Sequence, residues 1–358
     1  MSMHRSVLSI LMIFALAFAA PSLASAADTG KKPLVVDVSD NQFAGHQYVR
    51  PLNFASGVLS TNVGVFLGYN YSEIKYNDEL DFVIFQEDLF KLGGISETFD
   101  FEARFMDRFS TEFIVDAQFL GGIDDNSALI YGGTIVYAVS ALPKFNVYRN
   151  TKSGTMVTLA ANLSYDQGGQ SSPFLILTQV IDNALEILQD ALQGKPLTEG
   201  DLKDIVEIKV VDSIVLTSHT TVSPQILIAQ TVSPPVGLQF AARYDYGIDE
   251  QEQLGTEKFE TEDPPTAWFL GGMASLDLNK MSSVPMGFRF ELGYEQEAND
   301  EVNTSTMTFA GGLNYTGRRN LDLGLSLLNN RFTTESDEDS EDAVGVGTTM
   351  LVNMRYTF

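Results

Sequence analysis

The chain has 358 residues, carries 22 Lys and Arg against 47 Asp and Glu for a formal charge of −25, and contains no cysteine. Such acidity repels phosphate backbones, so no nucleic-acid partner is expected. Without Cys there can be no disulfide framework, no thiolate metal site and no lipid anchor on an N-terminal cysteine.

The first predicted element is a leader over residues 1–26. His4 and Arg5 give it a basic start, Val7 to Ala20 is almost unbroken apolar sequence, and Ala24-Ser25-Ala26 is a small-residue cleavage site. The apolar run is short for a spanning helix, so residues 27–358 are read as the mature, exported protein. Residues 27–57 form a polar stretch with no strand signal and no evident inward-folding motif, expected to be a periplasmic N-terminal segment. Nothing after it is long and apolar enough for a transmembrane helix, and only a closed barrel could then satisfy its backbone inside a bilayer.

From residue 58 onward the dominant signal is alternation. Val63, Val65, Leu67, Tyr69 and Tyr71 recur at period two, the mark of a strand whose faces meet different environments. The pattern returns at Phe99–Phe105, Phe113–Phe119, Leu129–Val139, Val157–Tyr165, Leu238–Tyr246, Trp268–Leu278, Met286–Tyr294, Met307–Tyr315, Leu321–Leu327 and Met350–Phe358. A less regular strand is placed around Val206–Thr220. The fold class is therefore all-β, an up-and-down antiparallel transmembrane barrel of about 12 strands (range 10–14). Two features separate it from a soluble sandwich. Many apolar faces end in aromatics (Tyr69, Tyr165, Tyr244, Trp268, Tyr294), as interfacial girdles require. The opposite faces carry mid-strand charges that a dry core would not tolerate.

One segment between Tyr165 and Val206 breaks the β pattern. Ser172 can N-cap a helix with Pro173 at its first position, and Gly194 with Pro196 can end it. Phe174, Leu177, Ile181, Leu185, Leu188 and Leu192 recur at helical spacing. This insert, extending with a second short helix to residue 205, is read as a plug, an apolar capture platform or structural filler. Pro224, Pro234 and Pro235, beyond the irregular strand, suggest a stiff irregular stretch.

The connections alternate in character. Long acidic ones (Glu73–Lys91, Asp249–Asp263, Glu297–Asn303, Glu335–Asp342) are expected outside. Shorter ones holding bases (Asp107-Arg108; Lys144, Arg149 and Lys152; Lys280; Arg318-Arg319) are expected on the periplasmic side. The acidic run at 335–342 lacks the glycine and spacing of a Ca²⁺ loop and is read as solvated surface, with no metal site and no cofactor expected.

The chain ends Met350-Leu351-Val352-Asn353-Met354-Arg355-Tyr356-Thr357-Phe358. This ending resembles the terminal β-signal of bacterial outer-membrane β-barrel proteins, with Phe358 last and Tyr356 two before it. With the leader and strand pattern, the resemblance spans nearly the whole mature chain. It implies outer-membrane localisation, assembly by the barrel-assembly machinery, and contact with outer-membrane lipid and lipopolysaccharide; no oligomeric state follows.

The candidate functional residues are the charges alternation directs inward: Asp100, Glu102, Arg104, Asp116, Arg243, Asp245, Asp277, Arg289, Glu291, Glu295, Asp322 and Arg355. They suit a cation-preferring or sugar-compatible pore, or a salt-bridged, closed lumen. An enzyme is not expected. The mature histidines are His46, in the polar N-terminal stretch, and His219, whose neighbour Ser218 must point to the opposite face. The function expected is passive passage of small solutes, constricted by the 172–194 helix. The alternatives are uptake of hydrophobic compounds, resembling fatty-acid and aromatic-hydrocarbon transporters, or a closed surface-binding barrel.

Overall fold

A computed structural model describes residues 42–76, 89–171, 173, 214–254, 257–260, 264–298, 302–336 and 343–358. A two-strand hairpin, β1 (Gln42–Phe43) and β2 (His46–Gln47), comes first. Then follow β3 (Asn62–Tyr76), β4 (Leu89–Met106), β5 (Phe109–Gly122), β6 (Gly133–Asn150), β7 (Thr155–Ser171), β8 (Ile214–Ser233), β9 (Val236–Leu254), β10 (Glu257–Glu260), β11 (Thr266–Asp277), β12 (Met286–Ala298), β13 (Val302–Tyr315), β14 (Leu321–Ser336) and β15 (Ala343–Thr357). Each long strand pairs antiparallel with its sequence neighbour, β10 pairs only with the far end of β9, and β15 pairs with β3. Twelve strands thus form one closed antiparallel ladder with no free edge, the condition for a sheet in hydrocarbon.

The exterior and interior are inverted relative to a soluble protein. Leu67, Ile95 and Phe290 are 52%, 64% and 64% exposed, whereas Arg289, Lys144 and Gln239 are fully buried. Strands of 12 to 20 residues exceed the roughly 10 that a tilted strand needs to cross a bilayer. Parts of the segments expected as outer loops, 73–76, 89–91 and 249–254, are accordingly continuations of β3, β4 and β9.

Connections at one end are short: 107–108, 151–154, 234–235, 278–285 and 316–320. Pro234-Pro235 is the tight β8–β9 turn, and Pro224 lies within β8, so these prolines form no separate stiff stretch. The irregular strand expected at 206–220 is β8, beginning at Ile214. The strand expected from Leu129 begins at Gly133, because residues 125–130 form a helical turn, α1. Asp124 caps it, its side chain accepting from the Ser127 N–H. Short polar residues compete for backbone groups there, and this local capping overrides the alternation.

The expectation that residues 27–57 lie in the periplasm is corrected for 42–57: this part is inside the barrel. The β1–β2 hairpin turns at Ala44 and Gly45, both with positive φ, as a two-residue reversal of matching twist requires. His46 and Gln47 reach the carbonyls of Pro234 and Arg318 in short-end turns. The chain then climbs the lumen to Phe54, whose ring lies 6.2 Å from that of Phe269. It returns to Thr61, whose carbonyl accepts from the N–H of Phe358. One side of this plug is apolar, where Val49, Phe54 and Ala55 pack on Leu142, Leu227, Ala241, Phe269 and Met273. Nearer the turns, Phe43, Tyr48 and Val58 pack on Met156 and Ala229.

Candidate functional site

The plug's other side is polar and meets inward charges. Arg50 pairs with Asp100, and its Nη2 lies 2.8 Å from Glu112. Arg355 approaches the same two carboxylates at 2.9 and 3.6 Å. Lys144 Nζ is 2.6 Å from Glu112 and 3.4 Å from Glu102. Three carboxylates and three cations are balanced here, with Asp100, Glu102, Glu112 and Lys144 almost wholly out of water. Such a cluster holds only while complete, since removing one partner leaves a buried charge uncompensated.

Strand β12 supplies a second tie. Glu291 accepts from the Leu52 N–H at 2.9 Å, and Arg289 Nη1 donates to the Arg50 carbonyl at 2.8 Å. The other Arg289 amino group holds Ser326 and Asn353. Across the lumen Ser56 donates to Gln239, and Thr158 donates to the Gly57 carbonyl. His46 Nδ1 donates to Pro234, leaving Nε2 to accept from Ser275 at 2.8 Å. Burial holds its imidazole below the ordinary value, favouring this neutral form.

Above the plug, toward the longer connections, lies a cavity of about 490 Å³, floored by Arg50 to Ala55. Its apolar lining includes Phe66, Ile114 and Leu142, and its polar lining includes Asn162, Ser223 and Gln225. Arg243 here bridges Asp245 at 2.9 Å and Glu295 at 2.5 Å, with its guanidinium over the Phe269 ring. Asp116 accepts from the Thr98 hydroxyl, and Asp166 lies 3.5 Å from His219, its partner in register. Glu297 completes the rim.

Beside this cavity two strand seams each lack two ladder pairs while keeping their register. Leu142-Pro143 and Ala161-Asn162 break the β6–β7 ladder between the Ala141–Leu163 and Lys144–Ala160 pairs. Ser223-Pro224 likewise breaks the β8–β9 ladder between the Val222–Tyr246 and Gln225–Arg243 pairs. Proline has no N–H to donate, and Pro224 of β8 pairs in register with Ala161 of β7. Asn162, within the first break and in register with Ser223 of the second, has a buried side-chain oxygen with no hydrogen-bond partner.

The inward residues singled out from the sequence divide into groups. Asp100, Glu102 and Arg355 meet in the lower cluster, Arg289 stands beside Glu291, and Arg243, Asp245 and Glu295 meet in the cavity wall. Asp116 also lines the cavity, accepting from Thr98. Asp277 caps a helical turn through Asn279, Asp322 accepts from Asn314, and Arg104 lies at the short-turn rim near Asp107. Tyr356 and Phe358 stack edge-to-face at 5.1 Å. The helix expected over Phe174 to Leu192 lies outside the described residues. Sequence reading missed Arg50, Glu112 and Lys144. Extending the β5 alternation by one residue would have reached Glu112. Lys144, placed in a periplasmic connection, lies instead in β6 behind pattern-breaking Pro143, and Arg50 carries no strand signal at all.

No protein-family model and no curated relative matches the chain. Among solved structures it is similar to an outer-membrane channel from Pseudomonas putida F1, at 10% identity over 87% of this chain and 100% of that one, with a TM-score of 0.48. It is similar to the translocator domain of the autotransporter NalP from Neisseria meningitidis, at 10% identity over 84% and 89% of the chains, TM-score 0.44. A third likeness is to the toluene transporter TodX of Pseudomonas putida, at 9% identity over 84% and 90%, TM-score 0.41. The closed ladder, apolar exterior and polar interior themselves define the class: an outer-membrane-type transmembrane β-barrel.

Proposed function

We propose that this barrel is an outer-membrane channel for small solutes, gated by its own residues 42–61. The observation that carries this reading is the division of the lumen into an open acidic cavity and a plug held by separable polar ties. A barrel that served only as a surface scaffold would have no need of a solvent-sized chamber behind its loops. Solute enters the cavity from the long-connection end, and displacement of the plug completes the path. The acid excess favours cations.

A disulfide can test this in a chain that has no cysteine. A Cβ at Gly57 would stand 3.4 Å from the Leu227 Cβ, close to the roughly 3.5–4.5 Å of a disulfide. In planar bilayers the Gly57→Cys/Leu227→Cys protein is expected to pass cation-biased current when reduced and to fall silent when oxidised. Equal current in both states would remove the plug's role as the gate. Silence of the reduced and wild-type proteins would overturn the channel.

A second reading is favoured by the two ladder breaks. They lie on either side of the β7–β8 pair at the level of the cavity, so an apolar solute could leave sideways into the bilayer between β8 and β9 beside Pro224, as in a hydrophobic-uptake barrel. Restoring the missing donor with Pro224→Val would slow that exit while leaving ionic current unchanged.

A further inference from the structure

The cavity's charges are not all compensated, and those left over share a region. Arg50 is committed to Asp100 and Glu112 beneath the floor, and Arg243 to Asp245 and Glu295 in the wall. Asp116, Asp166 and Glu297 also line the cavity; among the described residues none has a lysine or arginine within ion-pair distance, Arg50 reaching Asp116 only at longer range and the imidazole of His219 lying 3.5 Å from Asp166. Register places Asp116, Ala138, Asp166 and His219 in one row across β5 to β8. Ala138 presents little bulk between the first two, so both carboxylates look onto the same space.

A second observation points to a ligand independently of the acids. Gln225 is 7% exposed and Ser223 3% exposed, and both line the cavity. Neither side chain has a hydrogen-bond partner among the described residues, and the Asn162 side-chain oxygen beside them is also unmatched. Polar side chains this deeply placed are normally paired. A donor-bearing solute would satisfy them. Beneath lie apolar surfaces, Phe54, Ile114 and Leu142, that suit a hydrocarbon or aromatic body, and an aromatic face also attracts a cation.

Resting on the channel reading, we propose that this cavity is a binding site for small organic amines: a protonated amine held by Asp116 and Asp166, its apolar body lying on the Phe54 floor. Anionic solutes are disfavoured because both arginines are already spent. Wholly apolar solutes leave Ser223 and Gln225 unmet. Bare metal ions lack a ligand set, since no cluster of three or more His, Asp or Glu with metal geometry occurs among the described residues.

Three probes of one shape and different charge test the site by calorimetric titration of the full-length protein in detergent: phenethylamine, 2-phenylethanol and phenylacetate. Phenethylamine is expected to bind most tightly, by about tenfold or more over the alcohol, the scale of one net ionic contact, with phenylacetate weakest. Asp166→Asn is expected to erase most of that preference, and Gln225→Leu to weaken amine and alcohol alike. Equal binding of the three probes, tighter binding of phenylacetate, or an amine preference untouched by Asp166→Asn would overturn the proposal. Bilayer current recorded on the same preparation keeps the two readings apart. Current without amine preference removes the site and leaves the channel; amine preference without current leaves the site and removes the channel.

Discussion

The two halves of the lumen are built from the same twelve strands and the same alternation, yet they solve opposite problems. In the half nearer the short turns, three carboxylates face three cations at close range, and the plug supplies the third cation, Arg50. In the half nearer the longer connections, acids exceed bases and buried hydroxyl and amide groups go unmet. The difference teaches that inward charge has no single meaning in a barrel. Where a segment of the chain fills the lumen, charge is structural and must balance. Where the lumen stays open to solvent or solute, an imbalance is tolerated because water or a ligand can complete it.

The comparison breaks most decisively at Arg50. Arg50→Leu leaves Asp100, Glu102 and Glu112 against two cations in a nearly dry site. Loss of one partner from such a group costs about 3–5 kcal/mol. The expected result is a lower thermal midpoint and rapid protease cleavage within residues 42–61, while the strand signature in circular dichroism persists. A plug that stays protected would mean that its apolar side alone holds it.

A smaller effect is expected at Gly237, where a Cβ would stand 2.3–2.4 Å from the His46 ring. Gly237→Ala must displace that buried imidazole from Pro234 and Ser275, an overpacking that typically costs about 1–3 kcal/mol. Protease sensitivity should then rise at the β1–β2 hairpin first. An unchanged cleavage pattern would show that the hairpin is not anchored by His46.

The smallest effect is expected in the upper half. Asp166→Asn should change stability by no more than about 0.5 kcal/mol, as for most substitutions away from packed cores and buried pairs, measured by the same thermal midpoint. A large loss would show that Asp166 and His219 form a structural pair, and the contrast between the two halves would then fail.

Much of the barrel was legible from residue pattern. Alternation such as Val63, Val65, Leu67 and Tyr69 in β3, or Leu321 to Leu327 in β14, fixes which face meets lipid, because a one-residue slip would turn every side chain over. The same parity assigned Asp100, Glu102, Arg243, Arg289 and Arg355 to the interior. Strand ends were less legible: Ile74 in β3 and Gly247 in β9 continue their ladders where the apolar alternation has already lapsed. Pro143 and Pro224 hid their strands by interrupting the ladder.

The sequence by itself thus determined an acidic, cysteine-free chain of alternating strands with an apolar outside and a charged inside, since each of those rests on local composition or on a period of two. Only the tertiary structure decided that residues 42–61 occupy the lumen, that Arg50 joins Asp100 and Glu112, and that Asp116 and Asp166 are left facing an open cavity. Those pairings join residues tens to hundreds of positions apart. Which inward charge finds a partner depends on how the closed ladder staggers its strands and on where a patternless segment comes to rest. Neither is encoded in any short window of sequence.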